Sequence, residues 1–555
     1  MSKAQQNKAN PGAHEFDVVV VGAGFAGLYL IHSLRQKGLS VRAFEAGAEV
    51  GGTWFWNRYP GARCDIESVI YSYSFSKELQ DEWRWSERYA TQAEILAYIQ
   101  HVADRFELRQ DIQFNTRVSA TTFDEKSERW TVETEQGQHV KARFVIMATG
   151  SLTVPKPIDI PGLEDFKGAW YHSTNWPAEG VDFTGKRVGL VGTASTGVQM
   201  APLIAQQAEH LTVFQRTANF VLPAGNRPLS EDEQRHYREI YPQIREKTRY
   251  SNGGSHYQVN DKSAIAATPQ EREARYEENY RINGLAYLGS FNDLLTNEAS
   301  NTTAAEFIRG KIRSIVKDPA VAEDLCPNDH PLGSKRLCIG SNYLETFNRS
   351  NVSLVNLKRT PLERITAEGM RTSEQELPFD VLVFATGFDA ITGALSRIQV
   401  TGRDGLKLKD KWKDGPRCYL GLATAGFPNL FITTGPQSPG ALANVVVGIE
   451  QHTDWIMDCI GYLQQQNKSL IEATPDAENA WVEKVAALAQ LTLHRKGASW
   501  YSGANVPGKP RVFMPFVGGF GNYRRLCDAV AANGYEGFVL SGCTAGAAVE
   551  QEALA

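Results

Sequence analysis

Two glycine-rich segments of this 555-residue chain have the spacing that binds a pyrophosphate. Each follows a short, largely apolar run and precedes an apolar stretch, which is the pattern of a buried strand, a tight turn and a helix. Glycines in such a turn let the backbone approach the phosphates, and the helix N-terminus faces their negative charge. The first segment contains Gly22, Gly24 and Gly27, and the second contains Gly192, Thr193, Ala194, Ser195, Thr196 and Gly197. The sequence therefore predicts two dinucleotide sites of the Rossmann type.

The two segments differ in the charge at the end of the strand that follows. The first unit places Glu45 there, about 20 positions further on, where a carboxylate can bind ribose hydroxyls. The second unit places Arg216 at the equivalent position, and an arginine suits a 2′-phosphate. We therefore assign FAD to the first site and NADPH to the second. Ala194 stands where the middle glycine is usual, and its methyl group predicts weaker or slightly displaced NADPH binding.

Two further segments carry aromatic and titratable side chains. In residues 51–65, glycines let a loop lie against a planar ring system, Trp54 and Trp56 can cover its apolar parts, and Asp65 offers a carboxylate. The second segment lies between the two glycine-rich turns and contains Phe166, Gly168, His172, Trp176 and Pro177. With the two turns, these segments resemble the type I Baeyer–Villiger monooxygenases, flavoproteins that insert one oxygen atom of O2 beside a ketone carbonyl. The resemblance spans residues 17–540 and is densest to the branch that contains phenylacetone and steroid monooxygenases.

The resemblance implies a catalytic role for Arg336, which matches the position of the family's catalytic arginine. A guanidinium that keeps its proton favours the anionic form of a flavin peroxide and can polarise the ketone oxygen. Asp65 would pair with Arg336 and orient it, while Lys335 would join Arg216 and Thr217 around the 2′-phosphate. The implied reaction is NADPH reduction of FAD, capture of O2 and attack on the ketone, which yields an ester or a lactone.

The resemblance also implies a set of contacts. Trp500 heads a loop punctuated by glycine and proline, and it would contact the nicotinamide ribose or shield the substrate. His172 titrates near neutrality, but its place between the domains favours a hinge or hydrogen-bonding role over that of a general base. The implied FAD contacts are Gly22, Gly24, Gly27, Glu45, Gly52, Thr53, Trp54, Trp56, Asp65, Tyr71 and Val118. The implied NADP contacts are the second glycine-rich segment, Arg216, Thr217, Lys335, Arg336 and Trp500, and the implied ketone pocket consists of Ser438, Gly440, Ala441 and Leu442.

An apolar run that ends in Ala-Thr-Gly occurs twice, at residues 144–150 and 381–387. Flavoproteins of the resembled class carry such a segment at each crossing between their domains. We therefore predict an α/β fold of two Rossmann-like dinucleotide-binding domains with a helical insertion, whose helices fall near residues 230–248, 270–280 and 303–317. The predicted ranges are 1–14 for a disordered tail, 15–150 and 383–545 for the FAD domain, 151–225 and 333–382 for the NADP domain, and 226–332 for the insertion.

Composition limits the class of protein and of partner. A chain of this length exceeds what one hydrophobic core supports, so two or three domains are expected. A net charge of −5 and the lack of a polybasic run give no reason to expect nucleic acid or a membrane surface as partner. Seven cysteines without paired or metal-ligand spacing predict reduced thiols, no metal site and a cytoplasmic location. The expected partners are a small ketone and O2, and the simplest expectation for assembly is a monomer.

Three alternatives stay open. The first is a flavin enzyme that oxygenates nitrogen or sulfur, against which Trp176 and Pro177 argue, because such relatives normally end this segment differently. The second is a dithiol reductase, which needs a redox-active cysteine pair that the sequence does not contain. The third is a non-enzymatic sensor that binds NADPH without turnover. The size of the ketone and the regio- and enantioselectivity of its oxidation are not set by these patterns.

Overall fold

The structure is a computed structural model that describes residues 14–282 and 284–542. Of the predicted disordered tail, residues 1–13 lie outside this range, as do residues 543–545 of the predicted FAD domain. Six cysteines lie within it, and all six are buried free thiols. None of the helices in the described part of the chain is long and apolar enough to cross a membrane.

The elements follow in chain order. The first part contains β1 (Glu15–Val21), α1 (Phe25–Gln36), β2 (Val41–Phe44), α2 (Thr53–Trp56), α3 (Lys77–Glu82), α4 (Gln92–Arg105), β3 (Ile112–Gln113), β4 (Val118–Asp124), β5 (Arg129–Thr134) and β6 (His139–Met147). The second part contains β7 (Ala169–His172), β8 (Arg187–Val191), α5 (Ser195–Gln207), β9 (His210–Gln215), β10 (Val221–Pro223), α6 (Glu231–Tyr250), α7 (Pro269–Ile282), α8 (Glu298–Ile315), α9 (Pro319–Leu325), β11 (Cys338–Gly340), α10 (Tyr343–Thr346), β12 (Val352–Asn356), β13 (Leu362–Ile365), β14 (Gly369–Thr372), β15 (Glu376–Pro378) and β16 (Val381–Phe384). The last part contains α11 (Gly393–Ser396), β17 (Gln399–Thr401), α12 (Leu408–Lys411), β18 (Leu430–Ile432), α13 (Val445–Gln465), β19 (Leu470–Ala473), α14 (Pro475–Gln490), α15 (Phe520–Ala532) and β20 (Phe538–Ser541).

An eight-stranded sheet carries the first glycine-rich turn. Its strand order is β17-β4-β5-β6-β1-β2-β3, and β18 pairs with β6. The β1 strand is parallel to both β2 and β6, and its valines are buried on both faces: Val18 and Val20 belong to one hydrophobic cluster, and Val19 and Val21 belong to another. A strand covered on both faces reads as a continuous apolar run, which is why this sequence forms a central strand.

A five-stranded parallel sheet carries the second turn. Its order is β12-β9-β8-β16-β7, so the strand after the second glycine-rich turn lies next to β8 as β2 lies next to β1. The β16 strand ends at Phe384 and belongs wholly to this sheet, so the predicted domain boundary between residues 382 and 383 falls inside a strand. The chain then returns to the first sheet, where β17 pairs with β4 and β18 with β6.

Helices α6 to α9 lie between β10 and β11. Helices α6, α7 and α8 overlap the three segments in which helices are predicted, and those predictions are confirmed. The start of α6 has a local cause, because the Ser230 side chain accepts from the Glu233 backbone while the Glu233 carboxylate accepts from the Ser230 backbone. The apolar faces of α7 and α8 are buried in the same hydrophobic cluster as strands β8 and β9.

Candidate active site

One large cavity, with a volume of about 1750 Å3, lies at the carboxyl ends of the strands of both parallel units. That volume exceeds the roughly 300–1,000 Å3 of a site for one small ligand, so it suits two dinucleotides and a substrate. The predicted site residues that line it are Gly22, Gly24, Glu45, Gly52, Thr53, Trp54, Trp56, Asp65, Tyr71, Val118, Gly192, Thr193, Ala194, Ser195, Thr196, Arg216, Thr217, Lys335, Arg336, Gly440, Ala441 and Trp500.

The two glycine-rich turns have nearly the same geometry. Gly22 and Gly192 have positive φ angles of 107° and 117°, and a Cβ atom at either would lie 2.6 or 2.4 Å from a carbonyl oxygen of the neighbouring strand end. Gly27 and Gly197 do not line the cavity; a Cβ atom at each would lie 2.0 Å from the carbonyl oxygen of the first glycine of its own turn. These glycines therefore bring helix α1 or α5 close to its strand, with the helix N-terminus directed at the cavity.

Glu45 backs the first turn from the end of β2. Its carboxylate accepts hydrogen bonds from the backbone N–H groups of Ala23 at 2.8 Å and Gly47 at 2.7 Å. The residue is 5% exposed, and burial raises the pKa of its carboxyl group, a rise that Arg117 and the backbone donors oppose. Arg117 also lines the cavity. Sequence reasoning missed this arginine, because a lone basic residue before a strand is most often solvated.

The segment that begins with Gly52 supplies aromatic and polar walls to the first site. The indole N–H of Trp54 donates to the hydroxyl of Tyr71 at 3.2 Å, and the two rings meet edge to face. Asn57 lines the same cavity, and its buried side-chain oxygen has no hydrogen-bond partner in the described structure. A buried acceptor without a partner is costly, so Asn57 fits a ligand that presents an N–H group, as the flavin ring does. This residue was also missed by the sequence analysis.

Asp65 and Arg336 meet at the cavity wall although 271 positions separate them in the chain. The Nε and Nη2 groups of Arg336 donate to the two carboxylate oxygens of Asp65, each at 2.7 Å. The Nη1 group of Arg336 reaches the carbonyl oxygen of Ala441 at 3.1 Å. Burial alone would lower the pKa of Arg336, but the Asp65 carboxylate raises it above its ordinary value. Arg336 is therefore a permanent cation held in one orientation.

Tyr501 is a further neighbour of this pair that sequence reasoning missed. Burial raises the pKa of its hydroxyl, and the facing guanidinium of Arg336 opposes that rise. The preceding residue, Trp500, lines the cavity, and its ring centroid lies 4.5 Å from that of Tyr501. The two rings thus place the loop that follows Ser499 against Arg336.

That loop is held against residues 388–390, which follow the second Ala-Thr-Gly segment. The side-chain amide of Asn505 donates to the Phe388 carbonyl at 2.6 Å, and the Lys509 ammonium contacts the Asp389 carboxylate at 2.6 Å and the Ala390 carbonyl at 2.9 Å. These bonds hold the loop at the cavity wall, which Trp500, Asn505 and Pro507 line. A loop held over reacting groups excludes water from them.

Within the segment from Phe166 to Pro177, Thr174 and Asn175 line the cavity, whereas the predicted residues Phe166, Gly168, His172, Trp176 and Pro177 do not. His172 Nδ1 lies 2.8 Å from the Thr174 hydroxyl, Nε2 lies 3.1 Å from the Thr386 hydroxyl, and burial lowers the pKa of the ring. Thr386 belongs to the second Ala-Thr-Gly segment, so His172 ties β7 to the crossing between the two sheets. His172 thus makes hydrogen bonds between the elements, and its role as a hinge stays a prediction. The other members pack: a Cβ atom on Gly168 would lie 2.5 Å from the Phe166 ring, and Trp176 and Pro177 follow a short 3-10 turn.

The ketone pocket predicted by resemblance is placed only in part. Gly440 and Ala441 line the cavity, whereas Ser438 and Leu442 are not among its lining residues. Ser438 is 2% exposed, and its hydroxyl donates to the Gly435 carbonyl at 2.7 Å, so it stabilises the loop from within. The apolar wall next to Ala441 consists instead of Leu152, Phe388, Ala390 and Trp500, with Ile391 and Met514 buried behind it.

The fold and the cavity define a flavoprotein with two dinucleotide-binding units, and comparison with known proteins defines the family. Residues 15–227 match the family described as flavin-binding monooxygenase-like. Over 537 residues the chain is 42% identical to 2-oxo-Delta(3)-4,5,5-trimethylcyclopentenylacetyl-CoA monooxygenase of Pseudomonas putida, covering 95% of this chain and 98% of the relative. It is also 42% identical over 529 residues to phenazine N-monooxygenase PhzNO1 of Lysobacter antibioticus, covering 95% and 97%.

Among solved structures, an oxidised steroid monooxygenase bound to NADP superimposes with a TM-score of 0.92 at 51% identity, covering 95% of this chain and 99% of that one. The chain belongs to the type I Baeyer–Villiger monooxygenase family. The predicted family, the α/β fold with two dinucleotide-binding units and the monooxygenase class of enzyme are thereby confirmed.

Proposed function

We propose that this protein uses NADPH and O2 to insert one oxygen atom beside the carbonyl group of an apolar ketone, which forms an ester or a lactone. The pairing of FAD and NADP as cofactors is confirmed by the family. The structure fits both cofactors: each unit presents an uncapped helix N-terminus beneath a positive-φ glycine, and Asn57 offers an acceptor without a partner. When bound, NADPH supplies the hydride and FAD delivers its electrons to O2.

The observation that carries this proposal is the bidentate pair of Asp65 and Arg336 in the cavity wall. A guanidinium whose proton is held this firmly stabilises negative charge on a bound oxygen atom and polarises a carbonyl oxygen within hydrogen-bond reach. Asp65 occupies two of its donor groups and the Ala441 carbonyl a third. A guanidinium has five N–H donors, and the Tyr501 hydroxyl takes up another of them, so one remains that can face a substrate.

The apolar wall beside Ala441 limits the substrate. Leu152, Phe388 and Trp500 offer apolar surface and no charge to a molecule held at Arg336. An uncharged ketone with an apolar body can bury its carbon skeleton there while its carbonyl oxygen reaches the guanidinium. The loop bonds of Asn505 and Lys509 then keep water out during the reaction.

The proposal is tested by product analysis with labelled oxygen. The purified holoenzyme is incubated with NADPH, 18O2 and a panel of linear, cyclic and aromatic ketones, and products are identified by gas chromatography and mass spectrometry. We expect ester or lactone products that carry one 18O atom, and NADPH consumption that rises when ketone is added. NADPH oxidation that yields hydrogen peroxide alone with every ketone contradicts the proposal. Unchanged NADPH consumption with no product supports a sensor without turnover.

A second candidate function is N-oxygenation, because one relative at 42% identity is named a phenazine N-monooxygenase. The same assay with nitrogen heterocycles and sulfides decides between the two. Products oxygenated at nitrogen or sulfur, formed faster than any ester, would favour the second candidate. The domain ranges, a monomeric state and a cytoplasmic location stay predictions, which limited proteolysis, light scattering of the purified protein and cell fractionation can check.

A further inference from the structure

Three cationic side chains act on one another at the cavity wall, since burial and the charge of Arg216 both lower the pKa of Lys156 and of Lys335. Lys156, Arg216 and Lys335 all line the cavity. Within the described part of the chain, none of the three forms an ion pair or donates a side-chain hydrogen bond to the protein. The other lysine nearby, Lys358, differs in this respect, because its ammonium lies 2.6 Å from the Asp329 carboxylate. The three side chains thus form a local excess of positive charge with no carboxylate in direct contact.

Lys156 is fixed in this place by its backbone. It lies in the segment that leaves the first Ala-Thr-Gly crossing, and its N–H donates to the carbonyl oxygen of Gly387 in the second crossing at 2.9 Å. The adjacent Pro155 pairs with Phe388 in a β-bridge. The two crossings therefore hold Lys156 at the cavity wall, where the charge of Arg216 at the end of β9 acts on it.

The mutual repulsion of these cations contributes to a lowered pKa of both lysines. Burial lowers the pKa of Lys156, and so does Arg216, while Asp159 opposes the change. Burial also lowers the pKa of Lys335, where Asp329 opposes the change and Arg216 and Lys358 add to it. Like charges held together in a partly buried wall destabilise the protein unless an anion lies between them. The arrangement is that of a site built for an anion with more than one negative charge.

We propose that Lys156 is a third cation of the subsite for the 2′-phosphate of NADPH, and that it acts with Arg216 and Lys335 to select NADPH over NADH. The proposal rests on the assignment of NADPH to the second dinucleotide unit. A phosphate monoester carries about −1.5 to −2 charges at pH 7 and offers three acceptor oxygens, enough for three cationic donors. NADH presents an uncharged 2′-hydroxyl group there and leaves the three cations unneutralised.

The test measures binding of adenosine 2′,5′-bisphosphate and of ADP to the FAD-loaded protein by titration calorimetry. The variants are Lys156→Met, Lys156→Arg, Arg216→Leu and the control Lys186→Met, which removes an exposed lysine of the same domain that does not line the cavity. We expect Lys156→Met to weaken binding of the bisphosphate about tenfold, which corresponds to about 1.4 kcal/mol, and binding of ADP by less than about twofold. Lys156→Arg should retain most of the affinity, and Lys186→Met all of it.

Thermal unfolding separates a ligand contact from a structural role. Without ligand, Lys156→Met should unfold at the temperature of the parent or slightly above it, because the variant removes repulsion. The stabilisation by saturating NADP should shrink, and that by NAD should not. A variant that is less stable without ligand and equally stabilised by NADP would show that Lys156 is structural, and would overturn the proposal.

Asp159 supplies a further control, because it also lines the cavity and its charge acts on Lys156. Asp159→Asn should tighten binding of the bisphosphate or leave it unchanged. If it weakens binding as much as Lys156→Met does, the lysine acts as the partner of Asp159 and the proposal fails. If Lys156→Met binds like the parent while Arg216→Leu loses affinity, the proposal fails but the NADPH site stands. If Arg216→Leu also binds like the parent, the assignment of NADPH to the second unit fails.

Discussion

Replacing Asp65 with Asn tests whether the orientation of Arg336, and not its charge alone, is required. The carboxylate accepts two hydrogen bonds at 2.7 Å from Arg336, whereas a carboxamide oxygen of the same size takes the place of only one acceptor and its NH2 group opposes the other donor. Arg336 keeps the 3.1 Å bond to the Ala441 carbonyl and the neighbouring hydroxyl of Tyr501. The cation therefore stays in the cavity but is poorly oriented.

The expected loss of rate follows from the donor that Asp65→Asn keeps and the orientation that it loses. Removal of a charged donor from a pre-organised site costs about 10²–10³ in rate. Asp65→Asn keeps the donor and loses its orientation, so we expect a loss of about 10- to 100-fold in kcat for ester formation, or about 1.4–2.7 kcal/mol. Binding of FAD and of NADP should change little, because neither glycine-rich turn is altered. Released hydrogen peroxide should account for a larger share of the NADPH consumed.

The assay compares rates of ester and hydrogen peroxide formation at saturating ketone. The matched control is Glu323→Gln, which disturbs another bidentate pair, since Arg313 contacts Glu323 through the same guanidinium nitrogens at 2.5 and 3.1 Å in the helical insertion. The control should retain the parental rate. Parental ester formation by Asp65→Asn, with the flavin content unchanged, would refute the positioning role of Asp65.

Three further predictions concern the second unit and the buried core. Arg216→Leu should raise the KM for NADPH at least tenfold and barely change the KM for NADH, because a charge-assisted contact of about 1.5–3 kcal/mol is lost. Equal efficiency of the parent enzyme with NADPH and NADH would contradict the role of Arg216 in selecting NADPH. Ala194→Gly should tighten NADP binding, measured by titration calorimetry. Ala194 has the same extended backbone as Gly24 and differs from it by a methyl group at the cavity wall. A weaker complex would show that the methyl group is accommodated. His452 is 1% exposed, and burial lowers the pKa of its ring to about 3. In the unfolded chain the same ring takes up a proton below about pH 6.5, which the folded protein resists. The free energy of unfolding therefore falls as the pH drops from about 6.5 toward 3. His452→Asn should reduce the slope of unfolding free energy against pH by up to about 1.4 kcal/mol per pH unit. An unchanged slope would contradict the assignment of this pH dependence to His452.

Local chemistry explains which parts of the fold could be predicted from the sequence. The two glycine-rich turns, their strands and helices α6 to α8 follow from residue period and from positions that only glycine can occupy. The predicted end of the NADP domain, residue 382, falls two residues before the end of β16 at Phe384. The apolar run of β16 carries no sign of where the chain leaves the sheet.

The site itself depends on tertiary contacts that no local pattern encodes. Asp65 and Arg336 came from resemblance, and their pairing spans 271 positions. Lys156 was not predicted, because it gains its surroundings only when the two crossings meet. Ser438 was expected in the pocket wall, yet Gln437 has a φ angle of +66° and the Ser438 hydroxyl turns back to Gly435. Loop residues have no period that tells which side chain faces a cavity.

The measurement that tests the central claim most directly is stopped-flow absorbance of Arg336→Ala, followed by product analysis. The variant is reduced with NADPH and then mixed with O2 and a ketone that the parent enzyme oxidises. If Arg336 stabilises negative charge on oxygen and polarises the ketone, the variant should bind FAD and be reduced, perform the reduction somewhat more slowly than the parent, and form no ester. Losses of at least about 10²–10³ are expected for a charged donor of this kind. Ester formation near the parental rate would remove this arginine from the mechanism.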